Sequence, residues 1–149
     1  MDEELPARLR AMPTWLISQV ETRAHRLLTE RLGAAGSRGY HYRLLAALAE
    51  FGPASQASLG RRTAMNRSDV VTAVNELVDQ GLAERAGDPA DRRRNIITMT
   101  RAGAARLGQL DGVLAEVQDE LLAPLSAAER ADFGQLLTRI LRLFEPEHG

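Results

Sequence analysis

The sequence predicts a mainly α chain carrying one small β-hairpin, with helices on both sides of a helix-turn-helix and hairpin unit. Three observations predict it. Apolar residues recur at helical spacing over most of the 149 residues. Only two short runs, 82–86 and 95–100, have β character, and they flank a turn-rich charged tip. Helix-start residues and Gly or Pro stops alternate at intervals that fit six helices. Strands this few exclude a parallel-sheet enzyme fold.

The elements follow in order. Leu16, Val20, Ala24, Leu27 and Leu28 mark a first helix, with Thr14 as its expected cap and Gly33 as its expected stop. A Gly/Ala/Ser loop over 33–39 separates it from a second helix carrying Leu44, Leu45, Leu48 and Phe51, which Gly52-Pro53 ends. Ser55 opens a short third helix with Ala57 and Leu59, closing near Thr63-Ala64. Asn66 caps a fourth helix, with Asp69 three residues on as a variant capping box; Val70, Val74, Leu77 and Val78 form its inner face and Gly81 its stop. The hairpin tip runs Gly87-Asp88-Pro89-Ala90-Asp91-Arg92-Arg93-Arg94. Thr100 caps a fifth helix with Leu107, Leu110, Leu114, Val117 and Leu121, which Pro124 ends. Gly108 and Gly112 on it read as packing or bending sites. Ser126-Ala127-Ala128-Glu129 is a capping box for a last helix with Phe133, Leu136, Leu137, Ile140 and Phe144.

Composition removes whole classes of function. At 44% hydrophobic and 26% charged the chain reads as one globular domain, not a disordered one. Zero cysteines exclude a disulfide framework, a thiol nucleophile and a thiolate metal site. The three histidines, His25, His41 and His148, show no paired ligand spacing, so neither a metal nor another cofactor is expected. No apolar run is long enough to span a membrane. Met1-Asp2-Glu3-Glu4 is acidic where a signal or transit peptide is basic, so the expected compartment is the cytoplasm. No Ser-His-Asp arrangement, phosphate-cradling glycine loop or helical His pair is visible, and Asp119-Glu120 sits on a polar helix face; an enzyme is not expected.

The net charge of −1 conceals an asymmetry. All 19 basic residues are Arg. Residues 1–60 balance at +1, residues 61–106 at +3 and residues 107–149 at −5. A positive middle segment points to a local anionic partner. Within it, Arg67, Ser68, Val71, Thr72 and Asn75 share the outer face of the fourth helix. A major groove asks for that set: Arg for guanine or phosphate, Ser and Thr for mixed hydrogen bonds, Asn for adenine, and an apolar group for a thymine methyl. A solvated helix face also carries Ser, Thr and Asn, but it more often places Lys or Glu where Val71 stands. Asp69 fits as a group that satisfies free amides at the positive end of the helix dipole. The hairpin tip adds Arg92, Arg93 and Arg94, three adjacent guanidiniums suited to a narrow minor groove, with Asp91 placed to orient Arg93 by an ion pair. A solvated charged turn is the other reading of the tip alone. The helix-turn-helix followed at once by such a hairpin is more specific than either part.

The run from Met65 to Arg85, continued by Asp88-Pro89-Ala90-Asp91-Arg92-Arg93 and Met99-Thr100-Arg101-Ala102-Gly103, resembles the MarR-type winged helix-turn-helix transcriptional regulators. Their pattern has a helix ending in Leu and Gly-Leu, a strand ending Glu-Arg, an Asp-x-Arg wing, and Leu-Thr-x-x-Gly opening the next helix; Met99 stands where Leu is usual. The resemblance implies a homodimer whose terminal helices interlock, here 1–36 and 101–149, around DNA-binding lobes, here 37–100. It makes Arg93 the wing arginine and the fourth helix the recognition helix. The implied function is a homodimeric repressor on double-stranded DNA at a pseudo-palindromic operator, released by a small, anionic aromatic ligand. For that ligand Trp15, Tyr40, His41 and Arg43 offer rings and a cation, although Trp15 and Tyr42 also read as packing residues and His41 as a helix-start residue. Broad apolar stripes on the first, fifth and sixth helices support a dimer independently, and an intramolecular bundle is the other way to cover them. The absence of Cys removes the peroxide sensing used in part of that family. The rival is a winged-helix protein-interaction module without DNA binding, whose mark would be a wing without Arg and an acidic outer helix face.

Overall fold

The computed structural model describes residues 3–145, so His148 lies outside the described residues. A one-turn helix α1 (Ala7–Arg10) leads into α2 (Pro13–Ala34). Then follow α3 (Gly39–Phe51), a two-residue strand β1 (Ala54–Ser55), α4 (Gln56–Thr63), α5 (Arg67–Asp79), β2 (Ala83–Gly87), β3 (Asn95–Met99), α6 (Arg101–Leu121) and α7 (Ala127–Arg142). The three strands form one antiparallel sheet in the order β1-β3-β2. Neither α1 nor β1 was expected. Residues 54 and 55 pair with Ile97 and Ile96, too short a ladder for any alternation to announce it.

The chain divides into two compact units, one reaching to Val117 and one beginning at Gln118. In the first, Leu44, Leu45, Leu59, Val74, Leu77, Ile97 and Leu110 are completely buried. The core therefore draws on α3, α4, α5, β3 and α6 together, and Leu32 of α2 joins it. Each such large side chain contributes about 1.5–3 kcal/mol when buried. In the second unit, Ser126 and Glu129 form a complete capping box at the start of α7. The Arg130 guanidinium is bonded to Asp119 at 2.8 Å and to the Leu125 carbonyl at 3.3 Å.

Two helix stops share one geometry. Gly36 and Gly81 both have left-handed φ, +75° and +74°. After α2, the Ser37 amide donates to Leu32 O at 2.8 Å and the Gly36 amide to Gly33 O at 3.0 Å. After α5, the Leu82 amide donates to Leu77 O at 2.9 Å and the Gly81 amide to Val78 O at 3.0 Å. Both are Schellman closures, which satisfy carbonyls the helix end leaves open. The expected stop at Gly33 is therefore corrected to the turn at Gly36. The expected cap Thr14 is also corrected. Met12 is the N-cap and Pro13 the first helical residue, where a missing N–H costs nothing.

Phe51 does not join the core. It is 53% exposed, and the Arg62 guanidinium lies 4.3 Å from its ring centre. Among the described residues, apolar side chains on α2 and on α7 are exposed: Leu16 and Val20 at 42% and 44%, and Leu136 and Ile140 at 53% and 54%. Gly108 and Gly112 have open space around them, so the close approach assigned to them falls at Gly103 instead. A methyl there would stand 2.1 Å from the Leu82 carbonyl oxygen. Thr100 locks the same junction: its hydroxyl donates to Gly81 O at 2.7 Å and accepts from the Gly103 amide at 3.0 Å. The α5 stop, the β2 start and the α6 start thus meet at one point.

Two expectations follow. Gly103→Ala forces backbone apart and costs about 1–3 kcal/mol, read as a lower urea midpoint; an unchanged midpoint would remove the close packing from this account. The Tyr42 hydroxyl of α3 donates to Asp111 Oδ1 of α6 at 2.7 Å. That bond, burial of the phenol and the charge of Asp111 hold Tyr42 above its ordinary value of 10.0. A raised folded-state value stabilises below the unfolded value, and the contribution is lost as pH rises through the folded one. Wild type should lose urea resistance above about pH 10 more steeply than Tyr42→Phe; parallel curves would contradict it.

Candidate nucleic-acid interface

The interface begins with how α5 is aimed. Ser55 caps α4 by accepting from the Ser58 amide at 3.2 Å. Ala64 then takes a left-handed φ of +55°, uncommon for a residue with a Cβ, and the Met65 amide donates to Gly60 O at 3.0 Å. A Cβ on Gly60 would stand 3.2 Å from the Met65 carbonyl, so the small residue lets the turn close tightly. Asn66 caps α5 by accepting from the Asp69 amide at 2.8 Å. The reciprocal half of the expected box is not formed; Asn66 Oδ1 accepts instead from the Ser68 hydroxyl at 2.9 Å. Ser68 has only one hydroxyl hydrogen, so toward any further partner it offers lone pairs alone.

Burial of Val70, Val74 and Leu77 turns the opposite face of α5 to solvent. Arg67, Ser68, Val71, Thr72 and Asn75 are all exposed there, as expected. Asn75 is not free, however: Arg85 of β2 donates to its Oδ1. The next residue, Glu76, is held from the other side. Its two carboxylate oxygens take Arg38 Nη1 at 2.9 Å and His41 Nε2 at 2.8 Å.

The hairpin tip is built by its acids. Asp88 Oδ1 accepts from the Ala90 amide at 2.9 Å, and Asp91 Oδ1 from the Arg93 amide at 3.0 Å. The Asp88 amide donates to Arg94 O at 2.9 Å and closes the loop. Asp91 therefore supports Arg93 through its backbone, and the expected side-chain ion pair is not formed. Arg92, Arg93 and Arg94 are exposed. Arg93 and Arg94 join Arg67 and Arg61 around a groove of about 570 Å³ between α4, the start of α5 and the hairpin. Arg92 is not among the groove residues. Arg61 went unread in the sequence; its signal was its place beside Arg62 in the last turn before Asn66. Asp88 is read in the sequence only as part of the tip, because Asp91 alone adjoins the arginines.

The four residues considered for an aromatic ligand are not brought to one place. Trp15 is half-buried on α2. Tyr40 and Arg43 stack, guanidinium to ring centre 5.7 Å. His41 is 3% exposed and ties α3 to α5 rather than capping its helix. Tyr40, His41, Arg38 and Glu76 border a cavity of about 30 Å³ that neither Trp15 nor Arg43 lines. That volume suits a water, not an aromatic ring. Among the described residues no cluster of three or more His, Asp or Glu is arranged to hold a metal ion, and no helix is long and apolar enough to cross a membrane.

Residues 37–94 match the model of the MarR family. The chain is 32% identical over 97 residues to the HTH-type transcriptional repressor NicR of Pseudomonas putida, across 65% of this chain and 61% of that protein. It thus spans about three fifths of that relative's length. Its fold is similar to the crystal structure of a probable transcriptional regulator from Pseudomonas aeruginosa, with TM-score 0.79 and 32% identity over 89% of this chain and 98% of that one. It is also similar to the PcaV transcriptional regulator of Streptomyces coelicolor in complex with its natural ligand, with TM-score 0.78 and 26% identity over 95% and 100% of the two chains.

Proposed function

The chain belongs to the MarR family of DNA-binding transcriptional regulators, and from that premise we propose that it acts as a homodimeric repressor on a pseudo-palindromic operator. One observation carries the reading. Arg67, Arg61, Arg93 and Arg94 border a single groove beside an exposed helix face whose inner side is locked in the core. In this reading Arg67, Ser68, Val71, Thr72 and Asn75 face base edges, and Arg93 probes the adjoining minor groove. Arg61, Arg92 and Arg94 set the register on phosphates. A protein-interaction module would be marked by a wing without Arg and an acidic outer face; here the wing carries Arg92, Arg93 and Arg94, and α5 has one acid, Asp69, in its first turn and one exposed acid, Asp79, in its last.

A second copy of the chain is the proposed cover for the apolar stripes. Ile17 on α2 is 50% exposed, and Leu141 on α7 is 63% exposed. Residues 1–36 and 101–149 supply the dimer helices and 37–100 the reading lobe. Two-fold symmetry then sets half-sites one helical turn or a multiple apart.

Release by a small anionic aromatic ligand is the proposed signal. Arg38 and His41 already hold an anion, the Glu76 carboxylate, and the cavity beside them is too small for a ring. A ligand competing for these two partners must displace Glu76, which belongs to α5.

Fluorescence-anisotropy titration against DNA tiled across the gene's upstream region tests the reading. Tight, salt-dependent binding confined to one pseudo-palindromic tile supports it, and uniformly weak binding to selected sequences opposes it. Arg93→Ala should weaken operator binding and, by removing one cation from the interface, make the salt slope shallower by about one unit; equal affinity and slope would take Arg93 out of the interface. Inserting about five base pairs between half-sites turns one of them to the opposite face of the duplex and should abolish dimer binding. Undiminished affinity would mean that the lobes bind independently.

A further inference from the structure

We infer that Arg85, on β2 and outside the helix that faces DNA, determines specificity by fixing the orientation of the Asn75 carboxamide. The inference deepens the function proposed above and rests on it.

Asn75 stands on the third turn of the outer face of α5, and Arg85 is the middle residue of β2, ten positions along the chain. Both are exposed, so their bond is not an accident of burial. A guanidinium carries five N–H groups and no acceptor. The amide atom facing it must therefore be the oxygen, since the flipped amide would set donors against donors. An exposed asparagine without such a partner turns about its last torsion in a broad, roughly two-fold profile. It then presents oxygen and nitrogen in either order. Arg85 removes that freedom.

The two anchors are themselves fixed. Arg85 pairs across the sheet with Ile97, which is completely buried. Asn75 lies between Val74, completely buried, and Glu76, which Arg38 and His41 grip from α3. The third turn of α5 can neither roll nor slide away from β2 without breaking one of these contacts.

The consequence is chemical. A carbonyl oxygen has two lone pairs, of which Arg85 takes one. One lone pair and the Nδ2 hydrogens remain, an acceptor beside a donor. Adenine complements that edge with N6–H and N7, whereas guanine presents two acceptors, O6 and N7. A released amide turns its NH2 toward those acceptors and accommodates guanine as well. Arg85 thus makes Asn75 a reader of adenine without itself needing to touch a base. It is a positioning residue in this account, and Asn75 is the contact.

Selection from DNA randomised at both half-sites separates this from other roles. It is carried out on the full chain for wild type, Arg85→Ala, Arg85→Lys, Asn75→Ala and the double variant. Wild type should prefer adenine over guanine by roughly ten-fold at one base pair per half-site. In Arg85→Ala that preference should fall to about two-fold, with other positions unchanged. Arg85→Lys should retain most of it, because an ammonium is also a donor only. In the Asn75→Ala background, Arg85→Ala should change nothing further at that base pair. Loss of affinity spread evenly over all sequences, with a shallower salt slope, would make Arg85 a phosphate anchor and overturn the inference. So would an unaltered base preference. A wild-type chain that selects no sequence overturns the DNA-reading function itself, and that failure shows before any substitution is made.

Discussion

Val70, Val74 and Leu77 are essentially without solvent contact, and they set the rotation of α5 about its own axis. With 3.6 residues per turn, each residue is about 100° from the next. Turning the helix by one position would drive Val71 toward the core and lift Val70 out of it. A slip that carried Arg67 or Asn75 inward would bury polar groups with no partner, at several kcal/mol each. The exposed face is therefore a by-product of the buried one. The Schellman turn at Gly81 and the Asn66 cap then fix where that face begins and ends along the chain. The Thr100–Gly103 junction ties its end to the sheet and to α6.

The arginines divide into two populations by what holds them. Arg38 is spent on Glu76, Arg85 on Asn75, Arg62 on the Phe51 ring and Arg130 on Asp119. Among the described residues, those around the groove have no such engagement. The nearby acids form no ion pair with them, and Asp88 and Asp91 each turn one oxygen to a backbone amide of the tip. The same carboxylates that shape the hairpin therefore leave its guanidiniums available. Like charges in one groove repel one another, which lowers stability slightly and favours any polyanion that enters. Arg suits this better than Lys, since its planar fork matches phosphate and guanine in two-point contacts.

What the sequence revealed and what it hid divide by distance along the chain. The caps at Ser55, Asn66, Thr100 and Ser126 were legible because a cap and its partner lie within three residues. The inner face of α5 was legible because one helix period suffices to mark it. Thr14 misled because a Pro one residue earlier sets the helix start just as well without a side-chain bond. Phe51, Leu16 and Leu136 carry the periodicity of core residues, yet periodicity says only that a face is apolar, not what covers it. The contacts around Asn75 and Glu76 were illegible. They join residues 10, 35 and 38 positions apart, and the Glu-Arg strand end marks Arg85 without saying which residue it meets.

Those long-range contacts also bear on how a signal would travel under the proposed function. Asn75 is tied to β2 and Glu76 to α3, so consecutive residues of one helix are held by elements on either side. Within the lobe, α3, α5 and the hairpin strand form a braced frame around a shared core. A ligand that displaced Glu76 would release one brace and leave the other, together with the whole inner face, in place. The energy of burying Val70, Val74 and Leu77, about 1.5–3 kcal/mol each, opposes any melting of α5 by so local a change. Under the proposed function the signal acts instead where the intact lobe joins its flanking helices, and it moves the lobe as one body. In a dimer that alters the distance between two recognition helices while each keeps its shape, and a rigid two-site reader loses its operator by a mismatch of spacing.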